Sequence, residues 1–263
     1  MIKIIQVTIC FFLLNCLSAQ PAFVKDSLHS FILKGMKKWQ IPGLSVVVVK
    51  DGKVVIKEGF GVRNLETGEK VDAHTLFYIA SNTKLFTGIA LANLAYEKKL
   101  SLNDKVTQYY PWFQLYDKTS TSLVTIKDML THRIGTKTFQ GDLTFWNSKL
   151  KREEIMKKML LLKPSQGFRE AYGYCNSCYL VAGMVIPKVS GQTWEQYIEE
   201  KLLLPLGMDE SKAKSNELWK TAKNMAAPYT TAYTDTLMRV PFDQWDNLGP
   251  AASILSNVDD LSH

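Results

Sequence analysis

Three places in this chain set a lysine three residues after a serine: Ser81/Lys84, Ser148/Lys151 and Ser211/Lys214. On a helix a hydroxyl and an amine at that spacing face the same side, and a neutral amine there can take the hydroxyl proton. The chemistry such a pair supports is attack on a carbonyl with a covalent intermediate. The spacing is common, so the surroundings must choose among the three. Ser148 and Ser211 stand among lysines and other polar residues, where a lysine stays hydrated and protonated. Lys84 instead enters LFTGIALANLA (85–95), a run apolar nearly all round. Desolvation disfavours an ammonium, so Lys84 is expected to have a lowered pKa and to serve as a base near neutral pH.

The elements around the pair follow from pattern. Ser81 is expected at the N-terminal edge of a central helix, where backbone N–H groups lack partners and the helix dipole is positive, so the Ser81 amide can face a developing oxyanion. Upstream, DSLHSFILKGMKKW (26–39) places Leu28, Phe31, Ile32, Met36 and Trp39 on one helical face, with Asp26 or Ser27 as the N-cap. LSVVVVKDGKVVIKEGFG then reads as two strands around an Asp51-Gly52 hairpin turn. Val46 to Val49 are apolar throughout, which predicts a strand covered on both faces. Beyond Tyr96 the pattern is mainly helical, broken at Asp104, Pro111, Gly135, Gly167, Gly191 and Gly207. No internal repeat occurs. Strands first and helices after give an α+β class, read as one structural unit because no Pro/Gly/Ser-rich linker divides it.

Composition narrows the function. With 263 residues, 46% hydrophobic and 22% charged, the chain can bury a core. MIKIIQVTICFFLLNCLSAQ carries one lysine, an apolar stretch and small residues at Ser18 and Ala19. Residues 1–19 are expected to be a secretory signal peptide, shorter in its apolar part than a spanning helix, with a retained anchor as the alternative. Residues 20–263 form the mature domain on this reading, periplasmic or secreted. Cys175 and Cys178, in CNSC, read as two small apolar side chains near a helix start rather than a redox or zinc motif. The net charge of +7 is spread over short lysine pairs mixed with acids, without a nucleic-acid recognition motif. No histidine has a metal-ligand spacing, so no metal or other cofactor is expected.

Several segments, in order, carry a family resemblance: IASNTKLFTGIA (79–90), KLSLNDKVTQYYPWF (99–113), VTIKDMLTHRIG (124–135), GYCNSCYLVAG (173–183), YIEEKLLLPLGMDES (197–211) and LGPAASILSNVDDLS (248–262). From about Trp39 to Leu261 the chain resembles the class C β-lactamase branch of the serine β-lactamase and penicillin-binding-protein superfamily, whose motifs include SxxK. That resemblance implies a β-lactamase/transpeptidase-like fold, an antiparallel sheet flanked by helices beside a mostly helical region. It implies that Ser81 forms an acyl-enzyme, that Lys84 takes its proton, and that Tyr174 passes a proton to the leaving nitrogen and later activates water. Asn176 would hold substrate and Lys84. A phenol beside an ammonium is easier to ionise, which makes Tyr174 a credible acid/base partner.

The implied activity is an exported serine hydrolase acting on a small-molecule or peptidoglycan-like amide or ester: a β-lactam, a D-Ala-D-Ala peptide or a small ester. The family's KTG-type triplet does not follow Asn176 in these 263 residues, and the expectation is a C-terminally incomplete version of the fold. The rival reading is a non-catalytic cell-wall or partner-binding protein that keeps the scaffold. Two smaller departures are Arg133-Ile134, expected at the cleft rim, and Pro187, expected to kink or end a helix over 177–189.

Overall fold

The computed structural model describes residues 22–215 and 218–263. The expected signal peptide, with Cys10 and Cys16, lies outside the described residues. The chain divides into two compact units, one up to Ala73 and one over His74–Leu261.

In the first unit, helix α1 (Leu28–Lys38) precedes strands β1 (Gly43–Lys50) and β2 (Lys53–Gly61), which pair antiparallel. The turn is as expected: Asp51 and Gly52 have φ of 52° and 70°, the left-handed pair that a two-residue hairpin matching the strand twist requires. Ser27 holds the N-cap position without a side-chain hydrogen bond. Of the expected apolar face, Ile32 and Met36 are buried against Phe60, whereas Phe31 and Trp39 are exposed. The fully covered strand is also corrected, since Val46–Val48 are half-buried and Val49 is exposed. A two-stranded ribbon has one face for its helix, and Leu44 and Val46 are the strand residues packed on the cluster of Ile32, Met36 and Phe60.

The second unit holds the main core. Helix α2 (Thr83–Tyr96) packs with α5 (Asn176–Gly183), α6 (Val185–Ser190), α7 (Trp194–Ile198) and the short α8 (Gly249–Ala252); α3 (Ile126–Leu130) and α4 (Arg152–Lys158) border them. Leu91, Leu94, Leu180, Ile186, Trp194 and Ile198 are fully buried there. The α2 helix is less enclosed than its composition predicts. Phe86, Ala90, Leu91 and Leu94 are buried, while Leu85, Ile89 and Tyr96 are exposed along the opposite face. Two short antiparallel ladders complete the unit, β3 (Phe77–Tyr78) with β6 (Leu255–Ser256), and β4 (Tyr229–Thr230) with β5 (Met238–Arg239). The architecture is the α+β class expected. Among the described residues no helix is long and apolar enough to cross a membrane.

Pro187 acts as expected, and its effect falls upstream. The break between α5 and α6 is at Met184. A proline can neither donate to the carbonyl four residues earlier nor avoid it sterically, and that residue is Gly183.

Candidate active site

Ser81 sits in the 3₁₀ turn Ala80–Asn82 that leads into α2, on the chain leaving β3. The turn is anchored by Ile79 N–H donating to Ile254 O at 3.0 Å, and Ala80 just before the serine has φ of 46°. A non-glycine residue in that region carries backbone strain that the surrounding structure must hold. The first turns of α2 are tied to residues 250–254 by side chains: Ile254 N–H donates to Thr83 Oγ1 at 3.2 Å, and Thr87 Oγ1 donates to Pro250 O at 2.7 Å. Trp194 Nε1 donates to Thr87 Oγ1 at 3.0 Å from the other side. The close approach of α5 to this strap needs Gly183, because a Cβ there would lie 2.3 Å from the Pro250 ring.

Lys84 is 7% exposed and has three partners. Its Nζ lies 3.1 Å from Ser81 Oγ, 2.9 Å from Asn176 Oδ1 and 2.9 Å from Ala251 O. Burial lowers its pKa to about 8, against the opposing pull of Asp142. The geometry suits both protonation states. The ammonium donates to all three oxygens; the neutral amine donates to Asn176 and Ala251 and turns its lone pair on the Ser81 hydroxyl.

Tyr174 arrives on the loop before α5, and its hydroxyl donates to Ser81 Oγ at 2.6 Å. Two features hold it. Gly173 N–H donates to His132 O at 2.9 Å, and a Cβ on Gly173 would sit 1.8 Å from Thr136 O, so only glycine fits before the tyrosine. Arg169 clamps Asp128 with one guanidinium edge, Nε–H and Nη2–H donating at 2.8 and 2.7 Å, while Asp128 and Thr125 cap α3 reciprocally. Against the cost of burial, Arg169 holds the Asp128 carboxyl below its ordinary value.

The ionisation expected for Tyr174 is corrected. Burial raises its pKa, and the hydrogen bond to Ser81 only partly offsets that. Lys84 Nζ lies 4.8 Å from the centre of the phenol ring. Tyr174 is therefore a phenol that donates, and Lys84 is the group suited to accept the first proton.

Of the four expected residues, Lys84 and Tyr174 meet at Ser81 Oγ, and Asn176 joins them through the Lys84 amine. Two more join them that spacing did not reveal. His132 stacks on Tyr174, with ring centres 4.6 Å apart, and accepts the Cys175 N–H at Nδ1, 3.0 Å away. Burial lowers its pKa to about 4, so it is neutral. Asp142 Oδ2 accepts from Asn176 Nδ2 at 3.1 Å, completing a chain from lysine through amide to carboxylate. Burial raises the Asp142 pKa. The only signal for His132 was its place in THRIG; Asp142, in a polar loop, had none.

A cavity of about 260 Å³ opens on Ser81, lined by Tyr78, Phe139, Asp142, Phe145, Trp146, Asn176 and Trp245 among others. Arg133-Ile134 does not line it: Ile134 is buried in the core and Arg133 is held by Arg169 O. Cys175 and Cys178 are free, buried thiols at the start of α5, and burial pushes the Cys178 thiol up. Outside the cavity, the fold brings His74, Glu210 and Asp259 together at the surface, where His74 Nδ1 lies 2.9 Å from Glu210 Oε2.

The family model described as Beta-lactamase matches residues 28–263. Protein flp of Staphylococcus aureus (strain MRSA252) is 31% identical over 245 residues, 91% of this chain and 48% of that protein. The chain spans about half the length of the curated relatives it matches. Among solved structures, the octameric penicillin-binding protein homologue from Pyrococcus abyssi superposes with a TM-score of 0.74 at 32% identity, covering 89% of this chain and 54% of that one. A class C β-lactamase superposes with a TM-score of 0.77 at 25% identity, covering 93% of this chain and 64% of that one.

Proposed function

The chain belongs to the β-lactamase family, and from that premise we propose that it is an exported serine hydrolase working through an acyl-enzyme on an amide or ester. The observation that carries this is the pairing of Ser81 Oγ with Lys84 Nζ at 3.1 Å and Tyr174 Oη at 2.6 Å. With a pKa near 8, about one Lys84 in ten is a neutral amine at pH 7. That amine takes the Ser81 proton as Oγ bonds to the carbonyl carbon, and the carbonyl electron pair moves to oxygen. The Ser81 amide, at the opening of α2, is one donor placed for that oxyanion.

When the tetrahedral adduct collapses, the bond to the leaving nitrogen or oxygen breaks and Tyr174 supplies its proton. Lys84 then returns the serine's proton to the phenolate. Water attacks the acyl-enzyme by the reverse exchange, giving up its proton through Tyr174 and Lys84 while Ser81 Oγ leaves protonated. Asn176 keeps the lysine aimed and can offer its amide to a bound acyl group.

Substrates within reach are a β-lactam, a D-Ala-D-Ala peptide or a small ester. The relatives' names, a penicillin-binding protein homologue and a class C β-lactamase, support the first two. Export is supported by the apolar N-terminal segment. The test is covalent labelling of the full chain by a fluorescent penicillin. Labelling that disappears in Ser81→Ala is the expected result. Equal labelling of the two proteins overturns the role of Ser81, and absence of label and of ester turnover in the wild type favours the scaffold-only reading.

A further inference from the structure

Acyl transfer at Ser81 leaves one cluster of metal-ligating side chains unused. His74, Glu210 and Asp259 bring an imidazole nitrogen and two carboxylate oxygens within 4.8 Å of one another. His74 Nδ1 lies 2.9 Å from Glu210 Oε2 and 3.9 Å from Asp259 Oδ2. Around a divalent ion with bonds of about 2.0–2.2 Å, neighbouring ligand atoms stand roughly 3.0–3.5 Å apart. The cluster is close to that size. Its side chains are 55%, 49% and 26% exposed, which gives the carboxylates room to turn and water room to fill the remaining coordination positions.

Backbone register places these residues together. β3 and β6 pair antiparallel, Phe77 with Ser256 and Tyr78 with Leu255, and the same register carried three residues outward sets His74 opposite Asp259. Beside β6, Lys212 and Leu255 exchange both backbone hydrogen bonds, at 3.0 and 2.9 Å, and that register carried two residues outward sets Glu210 opposite Asn257. Three neighbouring backbone runs thus deliver their ligands to one place. Asn257, 1% exposed, supports Glu210 from the interior: its Oδ1 accepts the Asp260 N–H at 2.8 Å, which turns Nδ2 toward Glu210 Oε2, 2.6 Å away. A buried amide donating to a carboxylate is the outer support that orients a metal ligand.

The charge of the set calls for a divalent ion. Two carboxylates beside a neutral imidazole carry two negative charges, and a proton on the ring offsets one of them. A divalent ion bound through the neutral ring offsets both. The nitrogen donor selects the kind of ion, since imidazole suits zinc and its neighbours whereas magnesium and calcium prefer oxygen alone. We propose that His74, Glu210 and Asp259 bind a divalent transition-metal ion of the zinc class, which clips β3 to β6 and to the run that carries Glu210. β3 leads into the turn that holds Ser81, so the ion braces the strand ahead of the nucleophile and takes no part in acyl transfer. Sequence spacing gave no sign of this set, because its members are far apart in the chain.

The full chain, freed of metal with a chelator and dialysed, is titrated calorimetrically at pH 7.5 with zinc chloride, and separately with magnesium and calcium chlorides. The expected result is saturable binding of one zinc per chain, weakened about tenfold or more by His74→Ala and by Asp259→Asn, with no saturable heat from the other two ions. Zinc at a hundredfold above its Kd should raise the Tm by about 5 °C or more, and the double variant should cut that rise severalfold. Cobalt chloride bound to the wild type serves if a variant does not fold, with His74 as the ring whose NMR signals are paramagnetically shifted. No saturable zinc binding, magnesium or calcium bound as tightly as zinc, zinc affinity unchanged in both variants, or a shifted ring other than His74 overturns the site. None of these readouts involves Ser81, so the outcome is independent of the acyl-enzyme reading.

Discussion

The chain contains the same Ser-x-x-Lys spacing at 81/84 and at 211/214, and the fold turns the two inside out relative to each other. At the first, the serine is exposed on a turn and the lysine is buried with three oxygen partners. At the second, Ser211 is buried and Lys214 is exposed. Ser211 N–H and Oγ both donate to Asp260 Oδ2 at 2.6 Å, and Oγ lies 2.7 Å from Ser256 Oγ. One pair puts its hydroxyl where a substrate can reach it and its amine where water cannot. The other uses its hydroxyl to satisfy a buried carboxylate and leaves the amine hydrated. Spacing supplies proximity; burial decides whether proximity becomes reactivity.

The sharpest way to break this contrast is to remove each lysine. Lys84→Met should slow Ser81 acylation by about a hundred- to ten-thousand-fold, the usual contribution of a general base, whereas Lys214→Met should leave it within about twofold. Stopped-flow acylation of both variants decides the matter, and comparable losses would erase the distinction. A second test uses pH. Only the neutral amine works, so the acylation rate should fall about tenfold per unit below the Lys84 pKa of about 8 and level off above it. A rate flat from pH 6 to 9 would remove Lys84 as the base.

The serines should separate on stability. Ser211→Ala takes a donor from the buried Asp260 and should cost about 1–3 kcal/mol in urea unfolding, while Ser81→Ala, exposed and freeing two donors that have other partners or water, should cost under about 0.5 kcal/mol. A further test concerns His132. Its folded pKa, about 4, lies below the ordinary value, so the unfolded chain binds the proton first on acidification. Stability from this group is full above about pH 6.5 and is lost as pH falls toward 4, up to about 3 kcal/mol. His132→Gln should flatten that part of the stability profile; an unchanged slope would assign the acid sensitivity elsewhere.

Much of the site was legible because it is local. Ser81 and Lys84 are three residues apart on one helix, and the apolar run after them announces that the lysine will be desolvated. The break ahead of Pro187 and the Asp51-Gly52 turn follow from backbone sterics at single residues, so they too could be read directly. Tyr174 and Asn176 came from family resemblance, since nothing in their own neighbourhood says that they return to Ser81 across some ninety residues. Asp142 and His132 were not legible. Their roles depend on a strained loop and on a stacking contact, neither of which has a periodic signature. The exposed stripe of α2 and the half-buried β1 show the opposite failure, where apolar composition predicted more cover than the packing of the described residues provides.

By itself the sequence determined which residue types were available for acyl transfer and which lysine would be stripped of water, because helix spacing and local hydrophobicity act over a few residues. Only the tertiary structure decided that burial holds the Tyr174 phenol above its ordinary pKa, and that a buried carboxylate, Asp142, stands behind Asn176. Those outcomes are set by desolvation and by contacts between segments far apart in the chain, which no short stretch of residues encodes.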